Sequence, residues 1–283
     1  MKLITWNIQW CRGVDQVVDP ARVVAEARRL ADFDVLCLQE VADNFPDPLL
    51  GGSAGEDQFT VLASLLPNFA AVPGIAVDHP APDGRRRRFG NMILSRLPVL
   101  QVFRHSLPYP GDPDVPGMPR VAVEAVIEAP FGAVRVITTH LEYYSVQKRA
   151  AQVDAMRALY AEGAAYARDP GKDSDGPYQT YPRPSATIIT GDFNLEPDDP
   201  LHARMTAPFS DGSQPLADAW VHAHPGVSHP PTMNVYQKVE PGARLLHCDF
   251  VFVTPDVRRR IADVTVDGQT QVSDHQPVIL TLS

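Results

Sequence analysis

The residues of this chain that could do chemistry sit where apolar runs stop. Asn7 closes the run in "TWNIQ", Glu40 ends "LCLQE", and His140 ends the apolar part of "ITTHLE". Asp192 and Asn194 leave "TIITGDFN", Asp249 opens "DFVFV", and near the C-terminus "SDH" adds Asp274 and His275. Carboxylates with amide and water oxygens suit a hard divalent cation, Mg2+ or Mn2+, which binds through one or two carboxylates and leaves room for substrate phosphate. Two imidazoles among them supply a general acid or a cationic phosphate contact. A metal, a base and imidazoles in one place make phosphoester hydrolysis the leading reaction.

Such groups must be held to a fraction of an ångström, and the sequence supplies rigid elements to do so. The runs "KLITWNI", "DVLCLQE", "NMILS", "RVAVEAVIE", "AVRVITTHLE", "ATIITGDF", "CDFVFVT" and "PVILTLS" are rich in Val, Ile, Thr and Phe and have strand length. Several alternate in polarity, whereas "DVLCLQ" is apolar throughout and suits a strand covered on both faces. Helices are fewer. In "DPARVVAEARRLADF", Asp19 is placed to cap, Pro20 to start the helix, and Val23, Val24, Ala27 and Leu30 share a face. After Ser145, another cap, Val146, Ala150, Val153, Met156 and Tyr160 form an apolar stripe, and a weaker helix covers 57–66 before Pro67. Stretches 105–119, 168–184 and 222–243, rich in Pro, Gly and Asp, read as long surface loops. With no repeat and no linker, residues 1–283 are expected to form a single domain.

A chain of 283 residues with 44% apolar side chains can build a sizeable core. Its 25 Lys and Arg stand against 34 Asp and Glu, a net charge of −9, so any bound phosphate must be held locally against a repelling whole. Cys11, Cys37 and Cys248 lack ligand spacing and are expected to be reduced, buried thiols. No leader-like segment opens the sequence and no run approaches a membrane span, so the expected setting is soluble, non-exported and cytoplasmic. No protein partner is indicated.

Taken in order, "TWNIQ", "LQE", "GNMILSR", "TTHLE" with "KRAAQ", "GDFN", "DFVFV" and "SDHQPV" resemble the motifs of the endonuclease/exonuclease/phosphatase superfamily, the deoxyribonuclease I-like fold, and span almost the whole chain. The resemblance implies an α/β (α+β) fold: a two-sheet β-sandwich flanked by helices on both outer faces, with the site at one edge between the sheets. It implies Glu40 as principal metal ligand with Asn7 beside it, Asp192 positioning or deprotonating the attacking water, and Asn194 holding that water or the transition-state oxygens. His275 would bind or protonate the phosphate, oriented by Asp249. Asp274 would be a further metal ligand or an acid behind the ligands, and His140 the other phosphate-facing imidazole. The implied activity is that of a Mg2+- or Mn2+-dependent phosphodiesterase or nuclease acting on DNA, RNA, or a small or lipid phosphodiester. The branch that cuts at abasic sites carries an Asn-x-Tyr type motif where this chain has "TTHLE". His140 therefore looks more like the deoxyribonuclease I, sphingomyelinase and tyrosyl-DNA phosphodiesterase side.

Other positions have two readings. Asp249 at a strand start can also cap a turn. Arg120 in "MPRVAVE" matches a family position facing the phosphate, or is a solvent-exposed strand-start arginine; Asn91 lines the cleft or bonds a turn. Tyr144, with Tyr143, can stack on substrate, although packing against the helix after Ser145 is favoured. The run Arg85–Arg88 tempts toward nucleic acid, but a solvated loop tip is the commoner explanation. His222, His224, His229 and His247 are expected at the surface. A non-catalytic scaffold with the same fold is the alternative from another class, and a phosphatase of small or lipid phosphoesters is a third; a serine hydrolase lacks its Gly-x-Ser-x-Gly elbow.

Overall fold

The computed structural model describes residues 1–236 and 244–283; positions 237–243, the end of the loop expected at 222–243, lie outside the described residues. The strands are β1 (Lys2–Asn7), β2 (Val35–Asp43), β3 (Ala70–Pro80), β4 (Arg86–Ser95), β5 (Val99–Ser106), β6 (Val121–Ala129), β7 (Gly132–His140), β8 (Thr187–Asp192), β9 (Ala217–Asp218), β10 (Asp249–Val253), β11 (Ile261–Val266) and β12 (Val278–Leu282). Among the described residues they make two six-stranded sheets, ordered β11-β12-β1-β2-β4-β3 and β5-β6-β7-β8-β10-β9. The pairs β1–β2 and β7–β8 are parallel, and the helices α1 (Pro20–Leu30) and α3 (Val146–Arg168) lie on the crossovers between them. Shorter helices are α2 (Gln58–Leu65), α4 (Pro200–Thr206), α5 (Ala219–Ala223) and α6 (Pro255–Arg258).

Central strands are apolar on both sides because each sheet is covered on both sides. Leu3, Val35, Cys37, Ile93, Val123, Val136 and Val251 fill the layer between the sheets. Their neighbours turn outward. Ile4, Trp6, Leu36 and Leu38 meet Val23, Val24, Phe59 and Leu62 of α1 and α2, while Ile189, Phe250 and Phe252 meet Val153, Met156 and Leu201 of α3 and α4. The two-sheet sandwich with helices on both outer faces is the arrangement expected. Caps form as read: Asp19 accepts from the Ala21 and Arg22 amides, and Ser145 from that of Lys148.

Two features set how closely the sheets approach. A Cβ added at Gly74 on β3 would lie 2.0 Å from Val123 Cγ2 on β6, so only a hydrogen fits between the sheets there. Next to it on β4, buried Asn91 donates from Nδ2 to the Val121 carbonyl of the opposite sheet at 2.9 Å.

Some expectations need correction. Val146 is 65% exposed, because Ser145, Lys148, Arg149 and Gln152 take the covered side at the start of α3 and leave Val146 on the outer one. The arginine run is not a loop tip: Arg86–Arg88 belong to β4, and Arg85, Arg86 and Arg88 make ion pairs with Asp43, Asp78 and Asp57. Strands β3, β5, β9 and β11 were not expected, and all four are sheet edges.

Candidate active site

The register of the second sheet sets three of the expected residues in a row. His140 pairs with Asp192 across β7–β8, and Asp192 pairs with Asp249 across β8–β10, so neighbouring strands about 4.8 Å apart present them side by side. Gly191 permits this closeness: its φ is +135°, and a Cβ there would sit 1.9 Å from the Thr139 carbonyl oxygen. Phe193 then points into the outer core and is fully buried. Asn194 returns to the site by a turn, not by strand alternation. The strand ends at Asp192, Asn194 has φ +50°, and its amide donates to Asp192 Oδ1 at 2.9 Å. Its side-chain Nδ2 donates to the Leu141 carbonyl.

The first sheet contributes Asn7 and Glu40 from its parallel pair. Leu38 faces Met92 and Val41 faces Gly90, so β2 carries one residue more than β4 over this stretch. That bulge includes Glu40 in left-handed backbone, φ +62°, a conformation costly for a non-glycine residue and characteristic of functional sites. Asn7 joins the two sheets' carboxylates, donating from Nδ2 to Glu40 Oε1 and to Asp192 Oδ2, both at 3.0 Å. Its own oxygen accepts from the Gln9 amide, so in this arrangement Asn7 faces the carboxylates with nitrogen.

Two imidazoles flank Asp192. His140 Nε2 lies 3.5 Å and His275 Nε2 3.8 Å from Asp192 Oδ2, while His140 Nδ1 is 3.9 Å from Glu40. Their protonation differs. Burial, with Arg120 close by, lowers the His140 pKa to about 3, so it is neutral. Burial also works against charge on His275, but the Asp249 carboxylate, 2.9 Å from its Nδ1, outweighs it and holds the imidazole well above the ordinary range. Burial and the neighbouring Asp274 push Glu40 up to about 7, against the Asn7 hydrogen bond. The site is rich in negative charge and short of counter-charge.

Arg120 is buried near these groups, not exposed at the surface. Its Nε and Nη1 have no hydrogen-bond partner among the described residues, and burial lowers its pKa against the pull of Glu142, Glu40 and Asp192. A desolvated guanidinium with unused donors is able to take up an anion. Asn91 holds the backbone of the strand that follows Arg120. Asp274 is 8% exposed, has Oδ1 3.2 Å from Ser273 Oγ, and faces a hollow shared with Gln9 and Arg12.

Sequence reading passed over several supports. Ser273 Oγ donates to the Asn7 carbonyl and receives the His275 amide, Trp6 Nε1 fixes the His275 carbonyl, and Cys248 Sγ lies 3.6 Å from Asp249 Oδ2. "SDH" hinted at Ser273; nothing hinted at Cys248. All three cysteines are free and buried. Tyr143 and Tyr144 do not pack on α3: they are 49% and 57% exposed and meet edge to face. Tyr143 lines a cavity of about 430 Å3 beside Asn194, with Arg149, Glu196, Met233 and Leu246. His247 is buried and His229 nearly so, against the surface expectation, because both pack beside Phe250 on the outer face of the second sheet.

Three solved structures share this fold. Among solved structures, an endonuclease/exonuclease/phosphatase protein from Beutenbergia cavernae DSM 12333 is 24% identical, with 99% of this chain aligned to 70% of that one and a TM-score of 0.65. D. rerio TDP2 complexed with single-strand DNA product is 16% identical over 100% of this chain and 98% of that one, with a TM-score of 0.62. A mannosyl-6-phosphatase from Bacteroides thetaiotaomicron is 16% identical over 100% and 99%, with a TM-score of 0.61. At these identities the likeness speaks for the fold. Curated protein sequences give no match. The model of the Endonuclease/Exonuclease/phosphatase family matches residues 4–275, nearly the whole chain, and with the two-sheet fold and the clustered strand ends it establishes that this chain belongs to that family.

Proposed function

We propose that the chain is a divalent-metal-dependent phosphoesterase, a phosphodiesterase by preference, in which Asp192 activates water. One observation carries the reading: Asp192 Oδ2 is met by Asn7 at 3.0 Å and by His140 and His275 at 3.5 and 3.8 Å, where both sheets end. A base is thus flanked by one neutral and one cationic imidazole. The donor set fits Mg2+ or Mn2+, since Glu40, with Asp274 near it, offers oxygen to a site crowded with negative charge. Glu40 would hold the ion, with Asp274 and Asn7 beside it; when bound, it would neutralise charge at the phosphate.

The protein's own groups divide the remaining work. Arg120 and the His275 imidazolium bind the non-bridging oxygens and take up the charge that develops on them. His140, uncharged, donates one hydrogen bond to the same group. Asp192, held by the Asn194 and Asn7 nitrogens, orients the water and receives its proton as oxygen attacks in line with the departing alkoxide, which takes a proton from solvent. The leaving group extends toward the cavity lined by Tyr143 and Arg149. Three of the four consecutive arginines are paired with aspartates, and the chain carries −9 overall, which favours a compact phosphodiester over a long nucleic acid. The buried free thiols fit a reducing, cytoplasmic setting, and no helix among the described residues is long and apolar enough to cross a membrane.

The test compares bis(p-nitrophenyl) phosphate with p-nitrophenyl phosphate in Mg2+, Mn2+ or EDTA. Turnover should require metal, favour the diester and fall by about 100-fold or more in Asp192→Ala. Metal-independent turnover, or a variant as fast as wild type, would overturn the proposal; a monoester preference would move it to a phosphatase.

A further inference from the structure

On the far side of β10 from Asp249, three side chains from separate segments turn their ligand atoms on one another. His202 comes from α4, Asp218 from the end of β9, and His229 from the loop after α5. His202 Nε2 lies 2.8 Å and His229 Nε2 2.9 Å from the same oxygen, Asp218 Oδ2. All three ligand atoms fall within 4.8 Å of one another, and ligands bonded at about 2.0–2.2 Å in a tetrahedron stand about 3.4 Å apart, so modest shifts of these side chains would seat one ion.

We propose that His202, Asp218 and His229 form a second metal site, for a Zn2+-type ion, independent of the phosphoester centre.

Three observations support it. The Asp218 carboxylate is fixed: its Oδ1 accepts the Trp220 and Val221 amides at the start of α5, which leaves Oδ2 turned to the two imidazoles. The ligand side chains are only 12%, 4% and 7% exposed, so two imidazoles and a carboxylate share a nearly dry place. The surroundings hold the rings in place, with Phe250 4.9 Å from His202 and His247 4.6 Å from His229, the latter anchored by Nδ1 on the Pro230 carbonyl. Water would supply the fourth ligand. Two nitrogens and one oxygen select a borderline ion such as Zn2+, whereas the oxygen-rich centre around Glu40 selects Mg2+ or Mn2+. The ion would clip α4, the cap of α5 and the His229 loop together and stabilise the folded chain as any ligand of the native state does.

The test strips the purified protein with chelator, loads Zn2+ in excess Mg2+, desalts it, and measures bound zinc, the visible absorption of a Co2+ replacement, and melting temperature. His229→Gln keeps a hydrogen-bond donor toward Asp218 and so preserves the metal-free fold, while affinity for the ion should fall by about 100-fold or more. The expected result is one Zn2+ equivalent, with a tetrahedral Co2+ spectrum and a raised melting temperature, lost in His202→Ala and His229→Gln and retained in Asp192→Ala. Zinc retained by the histidine variants, zinc lost in Asp192→Ala instead, or no zinc surviving desalting would overturn the proposal and leave a hydrogen-bonded clamp only.

Discussion

Replacing Glu40 with glutamine should make the metal-free protein more stable while removing its response to Mg2+. In the folded chain burial and Asp274 raise the Glu40 pKa from its ordinary 4.5 to about 7, so between these values the native state keeps a proton that the unfolded state has lost. Stability then falls as pH rises through that window and levels off above it. At about 1.4 kcal/mol per pH unit the loss reaches about 3 kcal/mol. Glutamine keeps the shape and a partner for Asn7 but has no charge to bury. For a chain of this length, unfolding entropy of roughly 2 cal/mol/K per residue converts this to a melting temperature about 5 °C higher for Glu40→Gln at about pH 8, with no gain at about pH 4. The assay is thermal unfolding in EDTA across that range. Added Mg2+ should then raise wild type by about 2.7 kcal/mol at a hundred times its dissociation constant and leave the variant unmoved. A variant no more stable than wild type above neutrality, or one still stabilised by Mg2+, would refute both the buried charge and its role as ligand.

Further outcomes follow from single contacts. Asp249→Asn removes what keeps His275 protonated, so the imidazolium is lost at lower pH; the alkaline limb of the rate profile should move toward the ordinary histidine range near 6.5, and an unmoved limb counts against a cationic His275. Arg120→Leu removes a buried guanidinium with unused donors, so the melting temperature should rise by the equivalent of about 1 kcal/mol while kcat/KM falls about 100-fold or more; unimpaired kcat/KM would exclude phosphate contact. Gly191→Ala drives a methyl into the Thr139 carbonyl and should cost about 3 kcal/mol or more in urea unfolding, whereas near-normal stability would mean that β7 and β8 separate readily.

Legibility in the sequence followed burial. Strands covered on both sides, such as β2 and β10, appear as unbroken apolar runs and were readable, whereas β3, β5, β9 and β11 have one neighbour each and need no such run. Proline and glycine at 73 and 74 and the polar residues of "VLQVFRHS" are what an edge tolerates. The site residues were legible as types at strand ends, but not the devices that aim them. The bulge and left-handed backbone at Glu40 depend on pairing with β4, a partner some fifty residues away. The amide of Asn7 bridging two carboxylates is equally a product of the assembled sheets. The surface expectation for His229 and His247 failed because a proline-rich segment reads as solvated while Phe250, on another element, decides what covers it.

The contacts at Gly74 and Asn91 act as a gauge on catalysis. Asn7 and Glu40 travel with one sheet, and His140, Asp192 and Asp249 with the other, so the distance across which water, phosphate and cation must fit is the separation of two slabs. That separation is set in hydrocarbon, where Gly74 meets Val123, and by one amide pinned to a carbonyl. A single methyl added at Gly74 therefore works as a shim: it touches no reacting atom, yet it opens the jaws that hold them.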